Sequence, residues 1–286
     1  MHTELISIPT DTIPLDGAWH TPSDREAIGG VLLLHGNTMN FYVGAPRFLP
    51  PYLTARGYAC LAFNRRGHDI LSIRDSRDPE GAAFQTAAEG LIDNEYAARF
   101  LLEQGYREPI VIGHSNGGTL GVQFAANHPE TKALVLLSAH AGGKESVWRS
   151  CEAGQLACDR LDEVTAEAER LVQEGRSRQL LSLPGWWYAI SAESFLDRLY
   201  HTPDTLAVAP FVRCPSLFIR GDREPEEVYP AYDFQSRAGG PCEVAIVEDC
   251  DHFYRGREEA VAHVVVDWMA RVLERSYSRV NPLICP

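Results

Sequence analysis

The stretch Pro109-Ile110-Val111-Ile112-Gly113-His114-Ser115-Asn116-Gly117-Gly118 decides the reading of this chain. A short run of buried-type apolar residues ends in a turn of the form G-x-S-x-G, and a helix pattern follows to about Asn127. Such a strand–turn–helix pushes the serine hydroxyl out of the sheet. The flanking glycines are needed because a Cβ there would clash with the neighbouring strand and helix. The plain alternative is a glycine-rich turn that merely exposes a serine, so the surrounding sequence has to decide between the two.

Working outward, further apolar runs that do not alternate lie at Val31–Leu34, Tyr58–Phe63, Ala133–Leu137, Ser216–Ile219 and Glu243–Val247. Two shorter strand patterns, Leu5–Ile8 and Ala18–His20, precede them among prolines. Continuous apolar strands are buried on both faces, as in a parallel sheet. Between them, Ala88–Glu103 and His263–Val272 carry apolar residues at helical spacing. The alternation predicts an α/β fold with a doubly wound, mostly parallel sheet, whose ligands sit at the carboxyl ends of the strands. His35, Gly67, Ser115, Gly221 and His252 all fall at such ends. From Ala141 to Pro210 the alternation stops: helix formers dominate, no strand is evident, and Pro184-Gly185-Trp186-Trp187-Tyr188 interrupts. We read residues 1–140 and 211–286 as the core and 141–210 as an inserted helical cap.

Composition narrows the function. The 286 residues suffice for one large domain with an insertion. The net charge of −13 disfavours nucleic acid and anionic membranes as partners. No apolar run approaches the roughly 18 residues that span a bilayer. The first sixteen residues lack the basic stretch and apolar core of a secretory leader. Seven scattered cysteines without a C-x-x-C pair suggest free thiols in a reducing cytoplasm. Zinc, phosphate-loop and dinucleotide signatures are missing, so the expectation is no metal and no cofactor.

Taken in order, the motifs resemble the α/β-hydrolase fold superfamily: His35-Gly36, then Asn64 to Gly67, the turn at Ser115, an insertion, a loop after Gly221, and a late histidine in Asp251-His252-Phe253. The resemblance implies a serine hydrolase acting on a carboxylic ester or a related acyl bond. Ser115 would be the nucleophile and His252 its base. The acid that orients the histidine would be Glu224, three residues after Gly221 and followed by Pro225, with Asp222 the second choice. The oxyanion hole would use the backbone N–H groups of Asn116 and Asn37, with Thr38 second to Asn37. His140, Trp148, Trp186, Trp187 and Tyr188 would line a pocket for an apolar or aromatic small-molecule substrate. The same groups also serve C–C bond hydrolases, lactonases, thioesterases and aminopeptidases, and a ligand-binding protein without catalysis can share the fold. Ser115 argues against the aspartate-nucleophile branches. The oligomeric state stays open.

Overall fold

The computed structural model describes residues 1–73, 77–154, 157, 159–183 and 188–280, with the backbone alone described for 188 and 274–280. Eight strands form one sheet: β1 (His2–Ile8), β2 (Leu15–Thr21), β3 (Gly29–Leu34), β4 (Tyr58–Phe63), β5 (Ile110–His114), β6 (Ala133–Leu137), and two later strands, Ser216–Gly221 and Cys242–Val247. A separate hairpin intervenes, so the later pair are β9 and β10, and the hairpin strands are β7 (Leu180–Leu183) and β8 (Tyr188–Ser191). The sheet order is β1-β2-β4-β3-β5-β6-β9-β10. β1 pairs antiparallel with β2, β2 pairs antiparallel with β4, and the remaining neighbours are parallel.

The continuous apolar runs follow from burial on both faces. On one face Val31, Leu33, Ile110, Ile112, Val135 and Ile219 pack under Leu53 of α2 (Pro50–Ala55), which follows the short α1 (Ala45–Phe48), and under Val265 and Trp268 of the C-terminal helix Glu258–Val280. On the other face Leu32, Leu34, Val111, Leu134, Leu136 and Phe218 pack against Leu101 of α3 (Ala87–Glu103) and Phe124 of α4 (Asn116–Asn127). Within each strand, successive residues serve opposite layers, because strand side chains alternate. α3 begins where Thr86 and Glu89 form a reciprocal capping box.

The insertion between β6 and β9 carries α5 (Gly143–Glu152), α6 (Leu161–Gln173), the β7–β8 hairpin, α7 (Ala192–His201) and α8 (Thr205–Val208); α9 (Ala231–Arg237) and α10, the C-terminal helix, follow in the main body. The hairpin corrects the expectation that no strand lies here. The insertion has its own small core, with Val147, Leu161, Leu171, Leu183, Ile190 and Phe195 packed together. Its two ends are joined by backbone pairing of Gly142 with Asp204, and it is tied to the main body by Ser191 N–H donating to the Ala83 carbonyl (2.8 Å) and by Ala87 N–H donating to the Asp197 carboxylate (2.6 Å). Its last residues, Ala209 and Val212, join the core of the main sheet. Among the described residues no helix is long and apolar enough to cross a membrane.

Candidate active site

Ser115 stands between β5 and α4 with φ +54° and ψ −123°, a backbone conformation that non-glycine residues seldom adopt. The glycines around it have a measurable reason. A Cβ on Gly113 would come 2.4 Å from the Gly117 carbonyl oxygen. One on Gly117 would come 2.4 Å from the carbonyl oxygens of both Leu34 and His35. Backbone atoms cannot yield cheaply, so Gly117→Ala should destabilise the fold by about 2 kcal/mol or more. Chemical denaturation of the two proteins checks this value. An unchanged midpoint would mean that the turn is slacker than its contacts indicate.

His252 lies in the loop between β10 and α10. Its Nε2 is 3.1 Å from Ser115 Oγ, and its Nδ1 is 2.7 Å from Glu224 Oε1. Glu224 is buried, and its second oxygen accepts from Gly221 N–H (2.8 Å) and Ser138 Oγ–H (2.6 Å). With three donors, the buried carboxylate has partners in place of the water it lost. Ser138 has one hydroxyl proton, which goes to Glu224. Tyr254 Oη, also 2.6 Å from Ser138 Oγ, must therefore donate to Ser138. Burial pushes the Tyr254 phenol well above its ordinary range, so it keeps that proton.

Asp222 does not reach the histidine. Its two oxygens accept from the backbone N–H groups of Asp249 and Cys250, each at 3.0 Å, and so shape the loop that carries His252. Arg223 pairs with Asp249 rather than with Asp222.

Two further histidines stabilise the surroundings. His114 Nε2–H donates to the His252 carbonyl oxygen (2.8 Å), and its ring lies 4.9 Å from the His252 ring. Burial first, and then the nearby His252, push the His114 pKa down to about 3, so it stays neutral. His35 accepts from Arg65 N–H at Nε2 (3.1 Å) and donates from Nδ1 to the Gly36 carbonyl (2.7 Å), an arrangement that fixes the turn leading into Asn37. Burial and the buried Arg65 beside it hold His35 well below the usual histidine range. Tyr229 covers the open side of His252 with ring centroids 4.9 Å apart.

Neither Asn37 nor Asn116 uses its backbone N–H within the described residues, and Asn116 opens helix α4, where the dipole favours negative charge. Thr38 follows in a turn closed by Met39 N–H to the Gly36 carbonyl, with φ +58°. A cleft opens over Ser115 between the sheet and the insertion.

The cleft differs from the expected pocket. His140 lines it, as expected. Its Nδ1 accepts from Gly142 N–H (3.1 Å), and burial, then Arg198, lower its pKa to about 3. Trp148 does not line it. On α5 the residues Ser146, Val147 and Ser150 face the cleft, while Trp148 is 43% exposed over a separate hollow beside Cys151 and Leu161. Two steps of about 100° turn it away from Ser146. Trp186 and Trp187 lie outside the described residues, and Tyr188 is described by its backbone alone. The described lining mixes polar side chains, Ser146, Ser150, Thr202 and Arg198, with the apolar Val147 and Val228 and the aromatic Tyr229. Ser138, Tyr254, Tyr229 and Arg198 are the site residues that the motifs did not reveal. Among the described residues no three histidine, cysteine or acidic side chains converge as a metal-ligand set.

The buried histidines set an acid limit on the fold. His35, His114 and His140 are neutral when folded, but take up protons at the ordinary value of 6.5 once unfolded. Between about pH 6.5 and pH 3 the unfolded chain thus binds more protons, and stability falls as pH falls, by up to about 1.4 kcal/mol per pH unit for each histidine. His68 and His128, whose pKa values are raised by carboxylate partners against the opposing effect of burial, act only above that window, where stability falls as pH rises. Urea unfolding at pH 5 and pH 7 should show the loss on acidification. A flat profile would contradict the neutral-histidine assignment.

The model of the alpha/beta hydrolase family matches residues 31–264, and the chain belongs to that family. Solved structures agree on the fold. Est1E from Butyrivibrio proteoclasticus with bound ferulic acid is 18% identical, with TM-score 0.72 over 94% of this chain and 99% of that one. The alpha/beta hydrolase GrgF from Penicillium sp. sh18 is 14% identical, with TM-score 0.71 over 95% and 99% of the two chains. A thermostable carboxyl esterase from Bacillus coagulans, in complex with glycerol, is 14% identical, with TM-score 0.70 over 95% and 99%. No curated protein matches the chain significantly by sequence.

Proposed function

We propose that this hydrolase cleaves carboxylic esters through a covalent acyl-enzyme on Ser115. The observation that carries the reading is the unbroken line from Ser115 Oγ through His252 to Glu224, with contacts of 3.1 and 2.7 Å at a serine held at φ +54°. Serine is a weak nucleophile at neutral pH and needs a base within hydrogen-bond reach.

Ser115 Oγ bonds to the carbonyl carbon as its proton passes to His252 Nε2, and the carbonyl oxygen becomes an oxyanion. The N–H groups of Asn37 and Asn116 receive that oxyanion. Collapse breaks the bond to the alcohol oxygen, which leaves with the proton from His252. Water then repeats the sequence: it gives a proton to His252, attacks the acyl carbon, and releases the acid as the proton returns to Ser115. Glu224 stabilises the imidazolium in both halves and keeps Nδ1 protonated. Residues 141–210 act as a cap over the cleft.

The fold shared with a carboxyl esterase is compatible with ester cleavage, as the fold shared with a dienelactone hydrolase from Anabaena variabilis is with lactone opening. A panel of p-nitrophenyl esters, aryl thioesters, aryl lactones and aminoacyl anilides tests the choice. The highest kcat/KM should fall on an oxygen ester. Turnover confined to thioesters or anilides would replace the ester reading while keeping the serine mechanism.

A further inference from the structure

Glu224 is not held by its own turn alone. Its Oε2 accepts from Gly221 N–H at 2.8 Å and from Ser138 Oγ–H at 2.6 Å, while Oε1 takes His252 Nδ1–H at 2.7 Å. Ser138 Oγ in turn accepts from Tyr254 Oη–H at 2.6 Å; the phenol lies farther, 3.3 Å, from the Ile219 carbonyl oxygen. Ser138, Glu224 and Tyr254 come from three different loops, those after β6, β9 and β10. All three side chains are buried, so bulk water does not simply stand in for a lost hydroxyl. Ser138 and Tyr254 also share an unfavourable backbone, with φ +47° and +59°. Ser138 is kept there by its N–H on the Ile219 carbonyl, at 2.8 Å. Residues persist in this region only where their surroundings over-determine them. Here both of them deliver a hydroxyl to one line that ends on a carboxylate.

We propose that Ser138 and Tyr254 are positioning residues for the acid: their two hydroxyls, in series, fix the plane of the Glu224 carboxylate so that Oε1 stays on His252 Nδ1 through both halves of the reaction. This role presupposes the serine mechanism proposed above. A glutamate carboxylate turns about one more bond than an aspartate carboxylate, so its orientation needs more support. Gly221 N–H by itself would leave the group free to pivot about a single hydrogen bond. Ser138 adds a second donor at the same oxygen. Tyr254 sets the serine rotor: with the phenol donating to Oγ, the Ser138 proton is left for Glu224. Tyr254 keeps its own proton, because burial, and then the charge of Glu224, push the phenol well above its ordinary range. Hydrogen bonds to an ionised group are roughly twice as strong as those between neutral groups, so the Ser138 link should matter more than the Tyr254 link.

Hydroxyl deletions test this on protein whose denaturant midpoint shows it to be folded. Ser138→Gly removes the hydroxyl and relaxes the backbone at φ +47°, and Ser138→Ala removes it while keeping the Cβ. Both should lower kcat for an activated ester about tenfold or more, with KM within about twofold of the parent, because both half-reactions use the same base. Tyr254→Phe, which keeps the ring, should cost about threefold. The rate at which a fluorophosphonate labels Ser115 should fall in parallel, since that reaction needs His252 and Glu224 but no ester. The double variant Ser138→Gly/Glu224→Gln should be labelled no more than about threefold more slowly than Glu224→Gln alone, because Ser138 acts only through the carboxylate. Folded Ser138 variants within about twofold of the parent in kcat and in labelling, or a double-variant loss equal to the product of the single losses, would overturn the proposal and leave the serine mechanism standing. A parent chain that takes the label but turns over no ester would cost only the ester reading, and the labelling rates then decide. A parent that does neither would overturn both.

Discussion

Ser115→Ala is expected to lower kcat for an activated ester by about four to six orders of magnitude while the fold survives. The expected size follows from what is lost. Without Oγ there is no atom for His252 to activate, and only the oxyanion donors and binding remain. The stability side follows from position. The hydroxyl stands at a strand–helix turn with His252 Nε2 as its partner, and its removal leaves no cavity in either main core. Alanine retains the Cβ that is strained at φ +54°, so Ser115→Gly should be the more stable of the two variants, by up to about 1 kcal/mol. Esterase assays on protein from an esterase-free host, together with denaturant midpoints, measure both quantities. Residual activity above a few per cent of the parent would remove Ser115 from the chemistry.

Glu224→Gln is the second large effect, with an expected loss of about three to four orders of magnitude in kcat. A glutamine has one acceptor oxygen where the native carboxylate has two, and its NH2 can only donate. The carboxylate accepts from His252 Nδ1, Gly221 N–H and Ser138 Oγ–H. Whichever way the amide turns, its NH2 meets a group that was donating. If it faces His252, the imidazole must adopt the wrong tautomer; if it faces Gly221, a buried N–H is orphaned. The imidazolium also loses its counter-charge. Asp222→Asn should behave differently: less than about tenfold in kcat, with a stability loss of about 1 kcal/mol, because one of the two backbone N–H groups on the His252 loop loses its acceptor. Kinetics with the two losses reversed would transfer the acid role to Asp222.

β3, β4, β5, β6 and β9 were legible because each is an apolar run buried on both faces, and burial leaves a signal in composition; the more exposed β1, β2 and β10 left weaker patterns. The β7–β8 hairpin was not: Leu180–Leu183 and Tyr188–Ser191 are four residues each, too short for a period to register. The line of Ser115, His252 and Glu224 was readable from local context, since a turn of fixed form and a loop of fixed spacing travel with those residues. Ser138 and Tyr254 were not readable. They reach Glu224 from 86 residues before and, through Ser138, from the helix-side loop after His252, and no local pattern announces such a meeting. The positive φ of Ser138 (+47°) at the end of β6 is a structural sign that only coordinates reveal. Among the described residues, Trp148 is the one expected pocket residue that faces elsewhere, because helical phase puts it on the outer face of α5 and Ser146, Val147 and Ser150 on the inner one. Arg198 reads in sequence as one more solvated charge on an amphipathic helix; only the fold brings it beside Asn37.

The most direct measurement of the central claim, a covalent intermediate on Ser115, is peptide-level mass spectrometry after treatment with a fluorophosphonate ester. The account predicts one adduct per chain, located on Ser115, formed in step with loss of esterase activity, and missing from Ser115→Ala. Loss of activity with no adduct on Ser115, or an adduct on another residue that tracks the loss, would contradict it.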